Sequence, residues 1–132
     1  MKIINGKDAI LGRLAGHVAK EALKGEEIAI VNCEQIIITG SYEDIKEDFD
    51  QSKGRRGTTF NGPKVSKNSE KIVKRAIRGM LPNHREGRGK QALHRIKCYK
   101  GIPKEFENSK ILEIEKIKPK RNKYIRVSDI GQ

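Results

Sequence analysis

The segment from Ser69 to Leu81 contains basic side chains whose spacing is suited to binding phosphates. Its Lys and Arg residues recur every three or four positions, which places them within one narrow arc of an α-helix. They are Lys71, Lys74, Arg75 and Arg78. Only Glu70 offers them an acidic neighbour along the helix. A row of like positive charges is stabilised when the phosphates of a polyanion neutralise it. The segment therefore predicts a contact with nucleic acid.

Two glycine-containing segments extend this basic character on either side of the helix. Glycine and proline predict loops at about 53–67 and 83–90, and glycines such as Gly87 and Gly89 would allow close backbone approach to phosphates. Charge geometry selects the following candidate phosphate-contacting residues in the loops, the helix and the strand beyond: Lys53, Arg55, Arg56, Lys71, Lys74, Arg85, Lys97 and Lys100.

Patterns that would indicate catalysis lack their required context. Gly57–Gly62 has the glycine spacing of a P-loop, but Pro63-Lys64 replaces the Lys-Ser/Thr that would contact phosphate and magnesium. Gly87–Ala92 matches the loose dinucleotide pattern GxGxxA, but the residues before it do not form a strand. No cluster has zinc-ligand spacing, and His17 is interpreted as a packing residue. The sequence therefore predicts no catalytic residue, metal site, cofactor or small-molecule substrate.

The N-terminal third has the pattern of a βαβ unit. A short strand at residues 2–5 is followed by Asp8, a candidate helix N-cap, and then by an apolar stripe that predicts a helix ending at Gly25. Residues 27–32 read as a buried strand, which should run parallel to the first. Residues 36–39 form a further β-branched run, and an acidic helix follows from Ser41 to about Gln51.

The remaining elements flank the basic residues. In the 69–81 helix, the apolar residues opposite the cationic stripe should pack on the sheet; they are Ile72, Val73, Ala76, Ile77, Met80 and Leu81. A short helix is predicted at Lys90–Arg95. Residues 96–100 alternate like a half-exposed strand, with Ile96 and Cys98 inward and Lys97 and Tyr99 outward. Apolar residues from Ile111 to Ile117 are expected to dock on the core, and residues 118–123 are expected to form an extended basic arm.

Composition supports a polyanionic partner and one compact domain over residues 1–132. The net charge is +12, and residues 53–104 hold 16 Lys/Arg against 2 Asp/Glu. Aromatic residues are 5%, without Trp, which favours phosphate and shape recognition over base stacking. No apolar run approaches the roughly 18 residues of a membrane span, and no secretory h-region is seen. We expect a cytoplasmic protein, not bound to a membrane, with Cys33 and Cys98 as free thiols.

Several short motifs follow one another in a fixed order along the chain. They are Leu11-Gly12-Arg13-Leu14-Ala15, Ile30-Val31-Asn32-Cys33-Glu34, Ile38-Thr39-Gly40, Arg75-Ala76-Ile77-Arg78-Gly79-Met80-Leu81-Pro82, Arg88-Gly89-Lys90, Leu93 with Arg95, and Tyr99-Lys100-Gly101. In this order they resemble the L13 family of large-subunit ribosomal proteins. Together they cover roughly residues 2–103. The start at the first strand and Asn32-Cys33-Glu34 are similar to the archaeal and eukaryotic branch.

This resemblance implies a three-layer α/β/α domain with a four-stranded parallel sheet. It also implies binding to large-subunit ribosomal RNA, neighbouring ribosomal proteins as partners, and a role in subunit assembly. Carried over by position, the RNA-facing residues would be Arg13, Arg75, Arg78, Arg88, Lys90 and Arg95.

We interpret the chain as an RNA-binding structural component of the large ribosomal subunit and not as an enzyme. One alternative is a small nucleic-acid-processing or nucleotide-dependent enzyme, which would need a convergent acid/base or metal constellation. Another is a basic DNA-binding regulator, against which the mixed α/β pattern and the lack of an evident helix-turn-helix argue.

Overall fold

The computed structural model describes residues 1–54, 67–114 and 123–130 of the chain. The helices in this part are α1 (Leu11–Leu23), α2 (Tyr42–Gly54), α3 (Ser69–Gly79), α4 (Gly87–His94) and α5 (Val127–Ile130). The strands are β1 (Lys2–Asn5), β2 (Ile28–Val31), β3 (Ile37–Thr39), β4 (Ile96–Cys98), β5 (Ile111–Leu112) and β6 (Tyr124–Arg126). Two 3₁₀ helices occupy Cys33–Gln35 and Lys104–Phe106. None of the helices described in these segments is long and apolar enough to cross a membrane.

Four strands form a parallel sheet in the order β4-β2-β1-β5. Its central pair confirms the predicted βαβ unit, with Ile4 opposite Ile30 in the register. The fourth strand is β5, within the stretch for which the sequence indicated only core docking. The strand predicted at 36–39 exists as β3, but it lies outside this sheet and pairs antiparallel with β6.

Both faces of the sheet are covered, as expected for three layers. Ile4, Ile28 and Ile30 face α1, α3 and α4 and form the main core with their apolar side chains. The other face carries Ile3, Ala29 and Val31, which pack against a cover that includes Tyr99 and the 3₁₀ helix at Lys104–Phe106. Helices therefore flank the four-stranded parallel sheet, consistent with the α/β/α arrangement.

Tyr99 corrects one orientation predicted from the sequence. It was assigned to the solvent side of its strand, but its ring packs edge-on against Phe106, with ring centroids 5.5 Å apart. The second face of the sheet is covered at Tyr99, although Lys97 on the same face is exposed, so the alternation at 96–100 does not simply separate a core side from a solvent side.

The start of α1 differs from the prediction that Asp8 caps it. The residue before the helix is Ile10, which makes no side-chain capping hydrogen bond. Asp8 instead adopts a left-handed backbone (φ +59°), and its carboxylate accepts an ion pair from Arg126 at 2.9 Å. Gly25 is confirmed at the helix end, where its φ of +102° suits a residue without Cβ.

Two loop boundaries predicted from glycine positions are also wrong. The loop expected from Lys53 does not include Lys53 and Gly54, because α2 continues through Gly54, and residues 55–66 lie outside the described part. The loop expected at 83–90 ends earlier, because α4 begins at Gly87 rather than at Lys90. In both places helical backbone hydrogen bonding outweighs the weak helix propensity of glycine. Of the predicted basic arm, residues 118–122 lie outside the described residues.

Asn5, the last residue of β1, makes side-chain hydrogen bonds inside the protein. Its Nδ2 donates to Glu113 Oε1 (3.3 Å), next to β5. Its Oδ1 accepts from Asn32 Nδ2 and from the Lys7 backbone N–H, both at 3.0 Å. The gap between β1 and β5 is where the strand order reverses, the usual ligand crevice of open α/β sheets, and here a side-chain bridge spans it.

Candidate nucleic-acid interface

Helix α3 separates an apolar face from a basic face as its sequence predicts. Val73 and Ile77 are fully buried in the main core. On the other side Lys71 and Arg75 are exposed, while Lys74 and Arg78 are half-buried. Glu70 in the first turn and Arg78 in the last suit the helix dipole. The apolar anchors therefore fix the rotation of the helix, and the cationic side chains point outward.

Met80 is the exception on the apolar side of this segment. It was predicted to be buried, yet 47% of it is exposed. The helix ends at Gly79, so Met80 lies at the C-cap, beyond the last turn that packs on the core. It lies beside Gly16 of α1, where an added Cβ would be 3.9 Å from the Met80 sulfur. Leu81, the next residue, is buried as predicted.

Helix α1 contributes basic residues that sequence reasoning largely missed. It packs against both α3 and α4, and its buried side chains include Leu14 and Val18. On its outer side Arg13, His17 and Lys20 are all exposed. The interpretation of His17 as a packing residue is therefore wrong. The signal was present, because spacings of i, i+4 and i+7 opposite the buried stripe define a solvent-facing row.

The turn into α4 depends on glycines for packing inside the protein. Gly89 is buried, and a Cβ there would collide with the Pro82 carbonyl oxygen. Gly87 has a φ of +66°. The close approach predicted for Gly89 is thus made to the chain's own backbone rather than to a ligand. Between and after these glycines, Arg88 and Lys90 are exposed.

Arg85 and Arg95 lie at the two ends of the α4 region. Arg85 is exposed in the preceding turn, where its backbone N–H donates to Asn83 Oδ1 at 3.2 Å. Arg95 is half-buried, and its Nη1 donates to the Ala22 carbonyl oxygen at 3.1 Å. That carbonyl belongs to the last turn of α1 and also accepts the Gly25 backbone N–H at 3.1 Å. One edge of the Arg95 guanidinium therefore contacts the protein itself, in addition to any RNA contact that Arg95 makes.

Lys97 and Lys100 lie outside the cationic row of α3. Lys97 is exposed on β4 and aligned with Ala29, so it belongs to the sheet face opposite the helices. The Lys100 backbone N–H donates to Glu70 Oε1 at 3.1 Å, at the start of α3. There Lys100 and Lys67 share a surface cleft of about 390 Å³ with Glu34 and Glu70.

Of the three remaining predicted residues, one lies in the described part of the chain and two do not. Lys53 lies in the last turn of α2. Arg55 and Arg56 lie outside the described residues, as does the Gly57–Gly62 segment with P-loop spacing.

Ion pairs are found at the end of α1, where Glu21 contacts two lysines. Glu21 accepts Lys2 at 3.0 Å and Lys24 at 3.1 Å, and these hydrogen bonds lower the pKa of Glu21 to about 2. Hydrogen bonding to Glu21 also raises the pKa of Lys2. These pairs tie β1 to the end of α1. Lys71, Lys74 and Arg78 take part in none of the ion pairs found among the described residues, so their charge is available to a partner.

The site contains no constellation that suggests metal chemistry. Among residues 1–54, 67–114 and 123–130, no three His, Cys, Asp or Glu side chains are grouped as metal ligands. The site is an outward cationic layer formed by α1, α3 and α4, which we call the basic helical surface. Its exposed or half-buried members are Arg13, His17, Lys20, Lys71, Lys74, Arg75, Arg78, Arg88 and Lys90.

Comparisons with known proteins identify relatives for most of the chain. A family model described as ribosomal protein L13 matches residues 1–105. A protein from Methanococcoides burtonii is 38% identical across 100% of this chain and 96% of its own length. One from Methanocaldococcus jannaschii is 37% identical with the same coverage, and one from Methanopyrus kandleri is 43% identical over 83% of this chain and 67% of its own. Each of these relatives bears the name large ribosomal subunit protein uL13.

Proposed function

Because the chain belongs to the ribosomal protein L13 family, we propose that it is a structural constituent of the large ribosomal subunit. In this role it binds large-subunit ribosomal RNA, supports assembly of the subunit and contacts neighbouring ribosomal proteins in the cytoplasm. The observation that carries the RNA-binding part is the basic helical surface, whose cations stand on helices anchored in the main core.

The arrangement explains how a small protein can hold RNA without a deep pocket. Val73 and Ile77 fix the orientation of α3, so its cationic side chains are presented in a preset row. Each cation that neutralises a phosphate releases condensed counterions, which favours binding and makes it depend on salt. Since α1 packs against both α3 and α4, cations from three helices share one rigid support. The surface can therefore engage several phosphates with little ordering of the backbone.

We further infer that the chain is a scaffold and not an enzyme, with no cofactor or small-molecule substrate. The bridge from Asn5 to Glu113 supports this inference, because it occupies the crevice where α/β enzymes commonly bind ligands. The turn residues before Gly87 support it as well, since a dinucleotide site of the GxGxxA type requires a strand there.

Crosslinking this protein to RNA in its native cells, followed by sequencing of the attached RNA, tests the proposal. We expect discrete peaks on large-subunit ribosomal RNA. Signal spread over messenger RNA, or no signal above that of an unrelated basic protein, would contradict it. The peaks should also weaken when Lys71 and Arg75 are replaced by glutamine, because these side chains are exposed on α3.

A further inference from the structure

The two cysteines of the chain are far apart in sequence but meet beside the carboxyl ends of β2 and β4. The Cys33 backbone N–H donates to the carbonyl oxygen of Tyr99, the residue after Cys98, at 3.2 Å. The Cys33 thiol lies 3.6 Å from the carbonyl oxygen of Ile30, and Ile30 is the register partner of Cys98. Cys33 belongs to the main core, Cys98 is partly buried and packs against it, and both thiols are free. The topology thus places two reduced thiols next to each other.

The two thiols differ in accessibility and in acidity. Cys33 is fully buried, whereas Cys98 is half-buried and reaches the surface. A hydrogen bond with Cys98, together with burial, raises the pKa of the Cys33 thiol. The same hydrogen bond lowers the pKa of Cys98; burial and Glu70 oppose this shift, and the nearby Lys74 ammonium adds to it. Cys98 is therefore suited to act as the attacking thiolate and Cys33 as the resolving thiol.

We propose that Cys33 and Cys98 form a thiol-oxidation site that closes to an intramolecular disulfide in the presence of a low-molecular-weight disulfide. In the first step, the Cys98 thiolate attacks one sulfur of the small disulfide, and one thiolate of the small molecule leaves. In the second step, the Cys33 sulfur attacks the Cys98 sulfur of the mixed disulfide, and the second small thiolate leaves. The protons of the two cysteines pass to the leaving thiolates. Two protein thiols are thereby oxidised and one small disulfide is reduced to two thiols.

Closure of this bond would constrain the part of the chain that carries most of the cations. The segment between the two cysteines contains α2, α3 and α4. A cross-link over such a long segment restricts the unfolded chain more than the folded one, so the oxidised protein should be more stable. We expect its melting temperature to rise by about 5 to 15 °C relative to the reduced protein.

The experiment uses the full chain in its native state with oxidised glutathione as the probe. Wild type is compared with Cys33→Ser and Cys98→Ser by free-thiol titration, intact mass and peptide mapping. We expect wild type to lose both thiols and the mass of two hydrogen atoms, with a cross-linked peptide pair. Cys33→Ser should retain one glutathione on Cys98, because the resolving thiol is missing. Cys98→Ser should remain unmodified, because Cys33 is buried.

Several outcomes would overturn the proposal. They are retention of both thiols by wild type, a persistent glutathione adduct on wild type, and a disulfide that joins two chains instead of Cys33 to Cys98. A thermal melt of each variant shows that it is folded, and Cys33→Ala replaces Cys33→Ser if the buried hydroxyl prevents folding. Addition of a reducing agent should return wild type to its original mass and melting temperature.

Discussion

Replacing Lys71 and Arg75 by glutamine should weaken RNA binding in a way that reports the number of lost phosphate contacts. Both side chains are exposed and lie one turn apart on α3. Each phosphate contact contributes roughly 0.7 to 0.9 to the slope of log affinity against log salt concentration. Loss of both contacts should therefore reduce the slope by about 1.4 to 1.8. If the variant and the wild type bind equally well at 1 M salt, the variant should bind roughly 25- to 60-fold more weakly than the wild type at 0.1 M salt.

The same substitution should leave the fold unchanged. The two side chains stand on the face opposite Val73 and Ile77, so their replacement creates no cavity and buries no polar group. We expect the free energy of unfolding to change by less than about 1 kcal/mol, as is usual for surface substitutions. Circular dichroism melts check this, while fluorescence anisotropy with a folded large-subunit RNA fragment gives the affinity at a series of salt concentrations.

A matched control separates a located contact from a general effect of net charge. Lys104→Gln with Lys110→Gln removes two charges from exposed residues outside the basic helical surface. This control should change the slope much less than the α3 variant does. Equal slopes for both variants would refute the assignment of α3 and leave only non-specific charge attraction. A large loss of stability in the α3 variant would show instead that these side chains are structural.

The remaining predictions concern the fold around the surface. Ile77→Asp should abolish the cooperative thermal transition, because it places an unpaired carboxylate at a fully buried position. A melting curve like that of the wild type would contradict the burial of this face of α3. Gly89→Ala should destabilise the protein by about 1 to 3 kcal/mol in urea unfolding, because its methyl group would collide with the Pro82 carbonyl oxygen, and an unchanged midpoint would contradict this contact. The depressed pKa of Glu21 predicts stability that is present above its ordinary value of 4.5 and is lost as the pH falls to about 2. Unfolding measured from pH 6 to pH 2 should therefore show a smaller pH dependence in Glu21→Gln than in wild type, and identical profiles would exclude a role for the pair with Lys2.

The basic surface was largely predictable because its pattern is local. Charges three and four residues apart define a stripe on any helix, whatever the helix packs against. Hence the directions of Lys71 and Val73 on α3 could be read from the sequence. His17 could have been read in the same way, since it lies between Arg13 and Lys20 on the outer side of α1. Its interpretation as a packing residue failed because the residue was placed near the apolar stripe of α1, whereas it lies on the exposed side.

The helix boundaries were less predictable because they depend on contacts with other elements. Gly87 and Gly89 suggest a loop by propensity, yet α4 begins at Gly87, and Gly89 within it packs against the Pro82 carbonyl oxygen. Likewise, Asp8 has the residue type of an N-cap, but Arg126 holds it in an ion pair from more than a hundred residues away.

The sequence by itself determined the βαβ unit, the amphipathic helices and the location of excess positive charge, because each depends on neighbours within a few turns. Only the tertiary structure decided that β5 completes the parallel sheet while β3 pairs with β6, since strands of two or three residues carry too little periodicity to reveal their partners. It also decided that Lys97 lies on the sheet face away from α3 and that Cys33 meets Cys98. These are long-range pairings, and they arise from how the whole chain buries its apolar surface rather than from any local preference.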